Sequence, residues 1–339
     1  MRIAVDAMGG DFAPQEIVLG AALASELYDV EVILVGDETA IKKCLPNKYL
    51  TSKNVIIKHA SQVIEMDDHV DAIRTKKDAS LVVCADMVKK GEADAMVGVG
   101  NTAATMSVAT LKIGRIPGIH RPAISSLFPG KTTPSIILDL GAVADCTIDN
   151  LVEFAYMGSI YAEKVCGYKN PRVALLSIGE EETKGNELVK ATHQYLKTRK
   201  NLNFIGNIEG RQICDSYADV IVCDGFAGNV LLKVVEGIFS FMKNFFGDRI
   251  KKNPLYLIPG IFLLPLYKAL KKKADYSEYG GAPLLGLNGV CIVGHGRSNA
   301  KAVCNAVKAA KTAVDGELVE NIKRVVSDLE KNKKIVTEH

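Results

Sequence analysis

The sequence predicts an α/β protein with a mostly parallel sheet covered by helices on both faces. Three observations predict it. Short β-branched, apolar runs recur along the chain, and longer helical patterns separate them. The runs are also apolar throughout rather than alternating, as strands buried on both faces must be. In chain order the strand candidates are RIAV (2–5), VEVILVG (30–36), NVIIKHA (54–60) and DAMVGV (94–99). They continue with SIILDLG (135–141), RVALLSIG (172–179), DVIVCDG (219–225) and GVCIVG (289–294). Helical patterns follow most of them, for example at 14–27, 102–113 and 229–246.

Bulk properties narrow the function. A chain of 339 residues can bury a large core and is expected to form one catalytic unit of two lobes over 1–339. Hydrophobic residues at 48% and charged residues at 24% exclude large-scale disorder. A net charge of +3 gives no whole-protein case for nucleic-acid binding. Of eight cysteines no pair is spaced C-x-x-C, which predicts reduced, largely buried thiols in a cytoplasmic protein. The segment MRIAVDAMGGD carries a carboxylate at position 6 and no apolar h-region, so a secretory signal is not expected.

The carboxyl ends of the strands carry the chemistry. DAMGGD follows the first run, with Asp6, Gly9, Gly10 and Asp11, and GVGN follows the fourth. LGA follows SIILD, GEEETKGN follows RVALLSI, DGFAGN follows DVIVC and GHGRSN follows GVCIV. In an open parallel sheet that edge binds ligands. Glycine lets the backbone approach an anion, and the next helix presents free N–H groups to it. Each loop taken alone also suits an ordinary turn or helix cap. Repeated together, with Asp, Asn and Lys, they point to an anion-binding cleft.

Several chemistries are excluded or weakened. GVGNTA (98–103) fits G-x-G-x-x-A, yet RIPGIHRPAISSLF (115–128) lacks the acidic residue that a dinucleotide ribose requires. Asn101 and Thr102 therefore suit a bare phosphate better than a nicotinamide cofactor. There is no P-loop, no G-x-S-x-G elbow and no H-x-x-x-H pair, so no cofactor and no metal site is expected. His295 stands between two glycines in GHGRS at a strand end, where its ring stays accessible, and Gly296 and Ser298 follow it. Lys184 in EEETKGN reads either as a solvated charge or as a cation for phosphate. Asp224 and Asn229 in DGFAGN close an apolar strand, with helix capping as the plain alternative.

Taken in order, these loops resemble one family. VDAMGGD (5–11), GNTAA (100–104), GIHRPA (118–123), LLSIGEEETKGN (175–186), GNIEGR (206–211), DVIVCDGFAGNV (219–230) and EYGGAPLLGLNGVCIVGHGRSNAKA (278–302) are similar to the bacterial phosphate acyltransferases of the PlsX family. The resemblance implies transfer of a fatty acyl group from acyl carrier protein to inorganic phosphate, giving acyl phosphate for phospholipid synthesis. It implies a homodimer with an isocitrate/isopropylmalate dehydrogenase-like, phosphotransacetylase-like fold. Val143, Gln212 and Ala103 depart from the usual family residues. Phosphate is itself a nucleophile and a thiolate leaves readily, so the site needs only to hold a polyanion and stabilise an oxyanion. On this reading Lys184, Asn186, Asn229 and the amides near Gly225 and Gly228 hold phosphate. His295 and Asn101 polarise the thioester or move a proton, and Asp6 and Asp224 orient the donors. A short-chain transacylase using coenzyme A is the nearest alternative, and a NAD-dependent decarboxylating dehydrogenase a more distant one.

A last segment stands apart. NPLYLIPGIFLLPLYKALKKK (253–273) has thirteen uncharged residues from Leu255 to Tyr267, fewer than the ~20 that span a bilayer, and Pro259, Gly260 and Pro265 interrupt any helix. A helical hairpin insertion is expected near 240–275, serving a dimer interface, a membrane surface, or both. Leu257, Ile258, Ile261, Phe262, Leu263 and Leu264 would enter a headgroup layer, and Lys268, Lys271, Lys272 and Lys273 would meet anionic lipid or the acidic carrier protein. Peripheral attachment to the inner face of the cell membrane would deliver the product to a membrane glycerol-3-phosphate acyltransferase.

Overall fold

The computed structural model describes residues 1–65, 67, 68, 71–252, 265 and 280–337. All eight expected strands form, but on two sheets where the sequence reading had one. The first has the order β3 (Val55–His59), β2 (Glu31–Gly36), β1 (Arg2–Asp6), β4 (Ala95–Val99), β12 (Val290–Gly294), β11 (Ala282–Leu285) and β5 (Ala123–Ile124). The second has the order β6 (Ser126–Phe128), β7 (Ser135–Leu138), β10 (Val220–Val222), β8 (Val173–Ser177) and β9 (Phe204–Glu209). Pairing is parallel except at β11 and β5 of the first sheet and β6 of the second. Apolar periodicity fixes which segments are strands and is silent on which strands pair, so it could not separate the sheets.

Four strands escaped the sequence reading for local reasons. Segments β5 and β6 have two and three residues, too few for a pattern. Strand β11 contains a proline, and β9 is an edge strand carrying Gly206 and Asn207, both of which weaken a strand signal. The short pair β5 and β6 proves to be the joint. Ile124 pairs in the first sheet, Ser126 in the second, and buried Ser125 between them donates its N–H to the Pro283 carbonyl at 3.0 Å.

The helices are α1 (Gln15–Tyr28), α2 (Glu38–Cys44), α3 (Asn47–Leu50), α4 (Ala72–Thr75), α5 (Ser80–Lys89), α6 (Thr102–Lys112) and α7 (Ile148–Lys164). They continue as α8 (Glu187–Lys197), α9 (Gly225–Lys252), α10 (Ala300–Asp315) and α11 (Leu318–Thr337). Helix α7 packs against the second sheet. It starts at a Thr147–Asn150 capping box and buries Phe154 and Met157 completely, beside β7, β8 and β10.

Helix α9 corrects the expected boundary. It starts at Gly225 rather than 229, because the Asp224 carboxylate accepts the Ala227 N–H at 2.7 Å and closes the first turn. Its continuation to Lys252 occupies the first part of the region expected as a hairpin. Residues 253–264 and 266–279, with every apolar and basic contact residue proposed between Leu257 and Lys273, lie outside the described residues. Gly225–Arg249 is long and apolar enough to cross a membrane by length and composition alone.

Candidate active site

The carboxyl ends of β1, β4 and β12 converge into one tightly interlocked rim. The Asp11 N–H donates to the Gly296 carbonyl at 2.8 Å, which ties the first loop to the last. Gly9 lies so close to the Val99 carbonyl that a Cβ there would collide with it, so glycine is demanded by contact with the neighbouring strand end. Beneath the loop sits Asp6, buried at the end of β1. It accepts the Ser80 hydroxyl at 2.6 Å and the Met8 N–H at 3.2 Å. Burial pushes its carboxyl up to about 6, against the opposing pull of the Ser80, Met8 and Gly9 hydrogen bonds.

His295 is exposed at this rim, and its Nδ1 accepts the Arg297 N–H at 3.0 Å. That bond leaves the proton of the neutral ring on Nε2. Ser298 does not face outward. It is buried and donates both its N–H, at 2.9 Å, and its hydroxyl, at 2.6 Å, to the His295 carbonyl, so it shapes the turn that presents the ring. Asn101 caps α6, accepting the Ala104 N–H at 3.0 Å, and exposed Thr102 and Ala103 begin that helix. The family departure at Ala103 therefore falls on an exposed first turn.

The second rim, at the ends of β7 and β10, is built around a residue the sequence reading passed over. Asp139 is fully buried at the end of SIILD. Its carboxylate accepts four backbone N–H groups: Ile124 at 2.9 Å, Gly141 at 3.2 Å, Ala142 at 3.1 Å and Val143 at 2.7 Å. Burial raises its carboxyl and the four donors oppose that rise. One bond reaches the joint strand β5; the other three shape the loop that meets α9. Val143 in turn accepts the Gly225 N–H at 2.8 Å through its carbonyl. The family departure at Val143 thus spares these contacts, which are all made by backbone. Gly228 lies against the Asp139 carbonyl where a Cβ would not fit, and Asn229 is exposed beside Gly141.

Lys184 and Asn186 come from the neighbouring strand end, that of β8. Lys184 is exposed, and Asn186 caps α8 by accepting the Val189 N–H at 2.9 Å. Asn101, Asn186 and Asp224 are therefore all helix caps, the plain alternative for each. Capping and anion binding are compatible here, because a side chain that closes a first turn leaves other first-turn N–H groups pointing outward. The thiols nearby are poor nucleophiles. Burial pushes Cys146 up to about 12 and Cys223 well above its ordinary range, which keeps both protonated.

Comparisons with known proteins identify the family and the fold. Residues 1–321 match the family described as fatty acid synthesis protein. A phosphate acyltransferase of Desulfitobacterium hafniense is 49% identical over 326 residues, covering 96% of this chain and 97% of that one. One from Dictyoglomus turgidum is 48% identical over 324 residues, covering 95% and 96%. The chain belongs to the PlsX family of phosphate acyltransferases. Among solved structures, a phosphotransacetylase from Streptococcus pyogenes superposes with a TM-score of 0.61 at 17% identity, covering 94% of each chain. A branched-chain phosphotransacylase from Enterococcus faecalis gives 0.58 at 14%, covering 93% of this chain and 99% of that one. These two share the fold expected for a PlsX-family member.

Proposed function

We infer that this chain is an acyltransferase that moves a fatty acyl group from acyl carrier protein to inorganic phosphate, releasing acyl phosphate for phospholipid synthesis. The observation that carries this reading is a pair of glycine rims backed by the starts of α6, α8 and α9, with nearby thiols held protonated. Such a site favours a polyanion and leaves nucleophilic attack to the substrate.

In the reaction a phosphate oxygen attacks the thioester carbonyl carbon and forms the new C–O bond. The carbonyl pair moves onto oxygen, and the tetrahedral oxyanion collapses as the C–S bond breaks. The thiolate leaves and takes up a proton. Lys184, the α8 start at Asn186, and the α9 start from Gly225 to Asn229 hold phosphate in this scheme. The Nε2–H of His295 polarises the carbonyl oxygen. Asp6 and Asp139 touch no substrate and act by shaping the two rims. Ile178, well exposed at the second rim, offers apolar surface to the acyl chain.

The two sheets act as one unit, and two copies pair through α9. Phe226, Val230, Val234, Ile238, Phe241 and Phe245 recur at spacings of four and three and are each 45–68% exposed, a continuous apolar stripe. Peripheral attachment to the inner membrane face rests on residues 255–273, which would hand the labile mixed anhydride to a membrane acyltransferase. Purified protein with acyl carrier protein thioester and phosphate should yield acyl phosphate trapped by hydroxylamine as hydroxamate; absence of hydroxamate overturns the reading. Activity on short-chain coenzyme A thioesters alone favours the alternative transacylase. Co-sedimentation with anionic vesicles tests the membrane contact, and sedimentation equilibrium of Phe241→Asp, expected to be monomeric, tests the pairing.

A further inference from the structure

The turn that carries Lys184 is exposed, yet a buried polar chain reaches it from below. Asn207 on β9 is 3% exposed, and its side-chain Nδ2 donates to the Glu181 carbonyl at 2.9 Å. The same carbonyl accepts the backbone N–H of Lys184 at 3.0 Å. One oxygen thus joins the buried amide to the residue bearing the cation. The other end of Asn207 is fixed as well. Its Oδ1 accepts from Nδ1 of His193, 2.9 Å away and itself buried on α8, so that ring nitrogen carries a proton. Phe204 holds the imidazole edge-on at a centroid separation of 5.1 Å. A second tether lies alongside, where the Gln212 side-chain amide donates to the Glu180 carboxylate at 3.0 Å. At that position the aspartate usual in the family would set two carboxylates together.

We propose that Asn207, oriented by His193, is a positioning residue that sets the Glu181–Lys184 turn so that the Lys184 ammonium meets phosphate. This rests on the reading of Lys184 as a phosphate-holding cation. A lysine on an exposed turn loses conformational freedom on binding an anion, and a turn fixed in advance lowers that cost. Asn207→Ser removes both bonds without adding charge, and Asn207→Asp keeps the shape while replacing the donor with an acceptor.

The test measures hydroxamate formation against phosphate concentration, at saturating acyl carrier protein thioester, with thermal unfolding recorded alongside. Both variants should raise KM for phosphate about tenfold and leave kcat within about twofold. In a Lys184→Ala background the same substitutions should add less than about twofold, the non-additivity of residues acting through one group. A wild-type KM for phosphate in a folded Asn207 variant overturns the proposal. Equal losses with and without Lys184 also overturn it, because Asn207 then acts on the fold at large. A Lys184→Ala protein with an unchanged KM for phosphate overturns the Lys184 reading itself, a distinct failure.

Discussion

The two rims solve one problem in different ways. In the first, at β1, β4 and β12, loops interlock backbone to backbone, with Gly9 against Val99 and Asp11 bonded to Gly296. In the second, at β7, β10 and β8, buried side chains hold the loops. Asp139 gathers four amides, and Asn207 reaches the Lys184 turn. Contact between backbones leaves no room for adjustment and suits a fixed donor set around His295. Tethers made by side chains leave the loop surface exposed, which suits the proposed role of this rim in admitting a small anion and the end of an acyl chain.

Substitutions that remove each kind of support should break this contrast or sharpen it. The largest effect is expected where backbones touch. Gly9→Val and Gly228→Val should each cost more than about 4 kcal/mol in denaturant unfolding, because the added atoms meet main chain that cannot move aside. Asp139→Ala comes next, at about 3 kcal/mol or more, since it leaves several N–H groups without their acceptor. Loss of phosphate affinity should accompany it, measured as KM. If Asp139→Ala unfolds like wild type, the second rim is not built on that carboxylate.

Asp6 gives a pH-dependent comparison. Its folded-state value of about 6 exceeds the ordinary 3.8, so between these values the folded chain keeps a proton that the unfolded chain has released. The stability this contributes is complete below about pH 4, falls as pH rises, and is gone above about 6. Asp6→Asn should therefore gain about 3 kcal/mol relative to wild type between pH 4 and pH 7, by paired urea titrations. A constant difference across that range would mean the buried carboxyl does not titrate there. The smallest effect in energy is the chemical one. His295→Ala should lower turnover at least tenfold, about 1.4 kcal/mol, with unchanged circular dichroism. A wild-type rate would remove His295 from the mechanism.

The first rim was largely legible in the sequence and the second only partly. DAMGGD and GHGRS display their glycines beside the residues they serve, so Gly9, Gly10, Asp11, His295 and Gly296 could be picked out directly. Ser298 could be picked out too, although its hydroxyl turns inward to the His295 carbonyl. In the second rim Lys184, Asn186, Asp224 and Asn229 were visible, but their supports were not. Asp139 stood in plain view after SIIL, yet nothing nearby marks it as the acceptor for Ile124, fifteen positions earlier. Asn207 lies in GNIEGR on a strand whose edge position and glycine hide it from periodicity.

The sequence by itself determined the α/β class, the eight principal strands, the glycine turns at their ends and membership of a family of phosphate acyltransferases. The class, strands and turns follow from side-chain periodicity and turn chemistry, both properties of neighbours along the chain; the family follows from the resemblance of the loop motifs and the matching relatives. Tertiary structure alone decided that there are two sheets joined at Ser125, that α9 begins at Gly225 with an exposed apolar stripe, and that Asp139 and Asn207 hold the second rim. The reason is physical. A buried carboxylate or amide takes whatever donors folding brings within about 3 Å, and that choice is made between residues distant in sequence.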